Sequence, residues 1–104
     1  MITDITAYRK ARQKTAVVPL PDSDEEMEIH GLSAAGYSAL LEVQREHKGD
    51  NILRAMTVIK WGCDAFASST VAEVHEAVVL DDAMFLMEKI MDLSGTAEDS
   101  EKKS

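Results

Sequence analysis

The chain has 104 residues, 45% apolar and 29% charged, which suits one small globular domain and leaves no room for a second. Its net charge of −8 is uneven: residues 1–20 hold Arg9, Lys10, Arg12 and Lys14 against Asp4 alone, a net +3, so the remainder carries −11. So acidic a body repels phosphate backbones, which argues against nucleic acid as the main partner. The single cysteine, Cys63, excludes an intrachain disulfide framework. No run approaches the roughly 18 apolar residues of a membrane span, and no secretory signal opens the chain. A soluble, intracellular protein is expected, with no membrane partner.

Taken in chain order, the first element is a basic segment, residues 1–13. Thr3 or Asp4 can cap a short helix there, with Ile2, Ile5 and Tyr8 at helical spacing. It is too short and polar to be stable alone, so it orders only against a partner or the body. The period then changes. Thr15–Leu20 is β-rich, Pro21–Asp24 is turn chemistry, and Glu26–His30 alternates polar and apolar, which together predict a β-hairpin.

Ser33 can cap a helix running to about Lys48, with Tyr37, Leu40 and Leu41 as apolar positions, Val43 as a further candidate, and Gly49-Asp50 as the stop. A further helix is expected from Asp50 or Asn51 to about Ala67, on the stripe Ile52, Met56, Ile59, Cys63 and Phe66. Ser68–Thr70 breaks it and caps the next helix, in which Val71, Val74, Val78 and Val79 lie on or near one face. Asp81-Asp82 opens the last helix, where carboxylates suit the positive end of the dipole. Leu86, Met87, Ile90 and Leu93 line its inner side, and Gly95 ends it. Residues 96–104 hold one small apolar side chain and read as a disordered polar tail. The fold expected is mainly α (α+β): an N-terminal two-stranded hairpin followed by a small bundle of about four helices, spanning residues 14–95.

Little in the chain suggests catalysis. His30, His47 and His75 are far apart, and none has a second ligand at helical spacing, so no metal site is expected. His75-Glu76 starts like a metalloprotease helix, but Val79 stands where the second histidine belongs. Cys63 lies on an apolar stripe, as a core residue would, without the histidine or electropositive setting of a nucleophile. No glycine-rich phosphate loop occurs. No catalytic residue, cofactor or metal ligand is therefore expected.

Protein contact is the better-supported role. Trp61 sits roughly 180° around its helix from the Met56–Ile59–Cys63 stripe. Either that helix is packed on both sides, or Trp61 is a surface anchor, a type enriched at binding hot spots. Met84, Met87 and Met91 recur at helical spacing, as core filling or as an adaptable contact surface. Trp61, Met84, Met87 and Met91 are the candidate protein-binding residues.

The order Lys14-Thr-Ala-Val-Val-Pro-Leu-Pro21, an acidic turn, then Glu26-Met-Glu-Ile-His-Gly-Leu-Ser-Ala-Ala35 and a helix resembles the opening of tail assembly chaperones of tailed bacteriophages. The ending Met84-Phe-Leu-Met-Glu-Lys-Ile-Met-Asp-Leu-Ser-Gly95 is similar to that family's last helix. The likeness covers about residues 14–95 in layout. The turn at Asp22-Ser-Asp24 departs from it in lacking the glycine often found there. The resemblance implies a non-catalytic chaperone of prophage or phage origin that binds the tape measure protein and tail tube subunits, self-associates, acts in the bacterial cytoplasm and is absent from the mature virion. The likeness is to the family's short, non-frameshifted form, beside which a longer form often arises by ribosomal frameshifting. Lys102-Lys103 is where a slippery A-rich run would lie, against the plainer reading of a solvated charged tail. The competing reading is a small phage-encoded helical adaptor or inhibitor that binds a host protein.

Overall fold

The computed structural model describes residues 1–95. The polar tail and frameshift site expected at residues 96–104 lie outside them. The expected architecture is present: a two-stranded antiparallel hairpin and a helical body. The elements are α1 (Ile5–Arg12), β1 (Thr15–Pro19), β2 (Glu26–His30), α2 (Ala34–Glu46), α3 (Asn51–Gly62), α4 (Val71–Ala77) and α5 (Leu80–Ser94), with a 3-10 turn at Asp64–Phe66 between α3 and α4.

The hairpin pairs Thr15 with His30 and Pro19 with Glu26. Pro19 stands at the strand end, where a missing donor does least harm. The Leu20 N–H donates to the Glu25 carbonyl at 2.9 Å and closes the turn. Asp22 takes φ 53°, a left-handed conformation that Asp tolerates better than most residues, so the turn dispenses with glycine. Val18 and Ile29 send their side chains from the hairpin into the core.

Side-chain caps start every described α-helix except α5. Asp4, Ser33, Asp50 and Thr70 each accept a backbone N–H from three residues on, and Thr70 with Glu73 completes a reciprocal capping box. The axis of the fold is α3, which packs against α5, α2 and α4. Residues 55 to 59 are all buried in succession, so no face of this helix is left to solvent along that stretch. Of the two readings of its far side, packing on both sides is what the structure has.

Several expectations need correction. The helix predicted to run to Ala67 stops at Gly62, and Cys63 is its C-cap with an extended backbone. Gly62, the last residue of the helix, sets the approach of α5. A Cβ there would lie 2.6 Å from two side-chain carbons of Ile90, so the helices close to a distance no larger residue permits. Beyond the break Phe66 rides on the 3-10 turn, half-buried against the core and not within it. In α2 the buried positions are Gly36 and Leu40; Tyr37 and Leu41 are exposed, as is Ile52 at the start of α3. The valine run ends early too. Val79 is exposed and caps α5, which begins at Leu80, one residue before the Asp81-Asp82 pair.

Candidate protein-binding surfaces

The four candidate contact residues do not form one patch. Trp61 is half-buried at the α2–α3 contact, because Gly36 offers its helix a flat seat. A Cβ on Gly36 would lie 3.0 Å from the Trp61 Cβ. The Lys60 ammonium sits 5.4 Å from the indole centroid, a cation–π contact at the surface. Trp61 is therefore first a packing residue, with one edge exposed.

The methionines behave differently. At about 100° per residue, the buried positions Ala83, Leu86 and Ile90 mark the inner face of α5. Met84, Met87 and Met91 lie about a quarter-turn away from it. Leu80 continues their line, giving steps of four, three and four residues along one stripe. Exposure is graded along it. Leu80 is 57% and Met84 47% exposed, while Met87 and Met91 pack partly against the core. The next face round the helix carries Asp81, Glu88 and Asp92, all exposed. The result is an adaptable apolar stripe with a carboxylate border. Reading the methionines alone missed Leu80; the signal was its position four residues before Met84.

A second surface lies at the other end of α5. A cleft of about 550 Å³ opens beneath α1, lined by Ile5, Tyr8, Leu32 and Leu93 together with Arg9, Arg12 and Lys14. No carboxylate lines it. None of α1's residues is buried; Ile5 is 74% and Tyr8 56% exposed. Ile5, Tyr8, Arg9 and Arg12 share one face at helical spacing. The segment is helical as expected, yet its apolar side chains remain largely exposed.

His30 ties these parts together. Its Nε2 lies 3.0 Å from Asp64 Oδ1, and its Nδ1 lies 2.8 Å from the Gly31 carbonyl oxygen and 3.1 Å from the Gln13 amide nitrogen. The contacts join the end of α1, the hairpin and the 3-10 turn. Ser33 lines the same cleft as His30 and Asp64, but its hydroxyl accepts the Gly36 N–H at 3.1 Å as the α2 cap. Neither imidazole nitrogen is directed to it, so the three residues make no nucleophilic triad. Cys63 is fully buried. Burial foremost, and then the Asp64 carboxylate, push its thiol up to about 12, so the sulfur stays protonated at neutral pH. Among the described residues no three His, Cys, Asp or Glu side chains are grouped to hold a metal ion, and no helix is long and apolar enough to cross a membrane.

Comparison of the chain with protein-family models, with curated proteins and with solved structures gave no match.

Proposed function

We propose that the chain is a non-catalytic tail assembly chaperone of a tailed bacteriophage, which holds the tape measure protein and tail tube subunits in the bacterial cytoplasm during tail assembly and leaves before the virion is complete. One observation carries the reading: the exposed Leu80–Met84 end of a methionine stripe bordered by Asp81, Glu88 and Asp92. Methionine side chains are unbranched and polarizable, so such a stripe accommodates many apolar helical segments without demanding one sequence. The carboxylate border keeps the exposed stripe in water and favours clients with basic flanks. The sequence resemblance over residues 14–95 supplies the identity of the clients. The hairpin, the helical body and the last helix closing on Leu93-Ser94-Gly95 agree with that layout.

Co-expression with the tape measure protein of the same tail gene cluster tests this. The tape measure protein is expected to stay soluble and co-purify with the chain, and Leu80→Glu/Met84→Glu to abolish both effects. A tape measure protein that precipitates regardless, while the chain captures a bacterial host protein, would replace this reading with that of a host-directed adaptor.

A further inference from the structure

The two surfaces carry opposite charges, and neither is covered within its own chain. The cleft beneath α1 is concave and lined by both apolar side chains and the cations Arg9, Arg12 and Lys14. The stripe is convex, apolar and bordered by carboxylates. Among the described residues, neither Arg9, Arg12 and Lys14 nor Asp81, Glu88 and Asp92 form an ion pair. From these facts we propose that the Leu80–Met84 end of α5 in one copy seats in the cleft beneath α1 of a second copy.

The geometry makes the contact intermolecular. The cleft reaches α5 at Leu93 and Ser94, about 15–20 Å along the helix from Met84 and Leu80 at 1.5 Å per residue. Leu93 also lies on a different side of α5, about 150° round from the stripe. A chain therefore cannot place its own stripe in its own cleft without unfolding α5. The cleft volume of about 550 Å³ is several times the ~150 Å³ that holds a benzene-sized group, so it admits both side chains. Arg9 and Arg12 then stand on the same α1 face as Ile5 and Tyr8, placed to meet the carboxylates that border the incoming stripe.

Two further consequences follow. The contact joins different surfaces of two copies, so it is heterologous: it generates a ring or an open array, not a two-fold dimer. It also gives α1 its missing apolar neighbours, so the helix is ordered by association. The stripe is the one assigned above to clients, but self-association depends on the two faces alone and not on the client's identity. In this arrangement a neighbouring copy covers the stripe until a client displaces it.

Sedimentation velocity on the full chain, without any client, tests the inference separately from the chaperone reading. Two double variants are compared with the parent, Arg9→Glu/Arg12→Glu in the cleft and Leu80→Glu/Met84→Glu in the stripe. All four residues are exposed, and circular dichroism checks that each variant is folded. The parent should associate as concentration rises, and ~0.5 M salt should weaken this tenfold or more. Each variant alone should be monomeric. Mixed in equal amounts they should form a one-to-one dimer and nothing larger, because one intact cleft then meets one intact stripe. A monomeric parent, a cleft variant that still self-associates through stripe against stripe, or a mixture that stays monomeric would each overturn the proposal. A monomeric parent that still retains the tape measure protein would sink the self-association and leave the chaperone reading standing.

Discussion

The helices α1 and α3 show two ways in which a segment becomes helical. Both are opened by an aspartate that accepts a backbone N–H three residues on, Asp4 for α1 and Asp50 for α3. Both end with basic residues near the negative end of the dipole. There the likeness stops. In α3 the residues from Ala55 to Ile59 are buried without interruption, so tertiary packing holds the helix. In α1 nothing is buried, and the cap, the dipole and the tether through Gln13 and His30 are what hold it. An eight-residue helix with local support alone is marginal in water. The lesson is that caps decide where a helix begins, whereas burial decides whether it belongs to the rigid body or waits for a partner.

Substitutions sharpen the contrast. The largest effect is expected at the α3–α5 crossing. Ile90 is fully buried, and Ile90→Ala should lower unfolding stability by ~2–5 kcal/mol in urea titration. Gly62→Ala should follow at ~1–3 kcal/mol, because overpacking against Ile90 outweighs the gain in helix propensity. Ile5→Ala in α1 should stay within ~0.5 kcal/mol of the parent. A comparable loss at Ile5 would show that α1 is part of the packed body and would break the distinction.

Titration probes the same core from another side. Cys63 has its thiol raised from 9.0 to about 12 in the folded chain, so the native state keeps a proton that the unfolded chain releases. Its contribution is whole below pH 9 and should decline by about 1.4 kcal/mol per pH unit from there towards 12. Replacing Cys63 with Ala should remove that slope. A parent and variant with parallel pH profiles above 9 would place the thiol in contact with solvent. Below this in size is the α4 cap: Thr70→Ala removes the hydroxyl that accepts the Glu73 N–H, leaves the residue-70 N–H on the Glu73 carboxylate, and should cost ~1 kcal/mol.

Much of the fold was legible in the sequence because its signals are local. The hairpin followed from an alternating period around a turn, and Ser33 and Thr70 marked helix starts through their own side chains. The end of α3 was not read correctly, since Met56, Ile59, Cys63 and Phe66 keep helical spacing across the break. At the break Gly62 meets Ile90 of α5, a long-range contact that no local pattern reveals. The same limit applied to Trp61, whose packing depends on Gly36 in another helix. The stripe was half visible. Three methionines gave its direction, but Leu80 and the carboxylate border emerge only when the buried face of α5 is known.

Hydrogen exchange on the chain, alone and bound to the tape measure protein, tests the central claim most directly. Alone and dilute enough to be monomeric, the chain should exchange its α3 amides only through global unfolding and those of α1 almost freely. Bound, new protection should fall on residues 80–91, with α2 unchanged. Protection that appears on the Tyr37–Leu41 face of α2 instead, or none anywhere on binding, would contradict the assignment of the α5 stripe as the client surface.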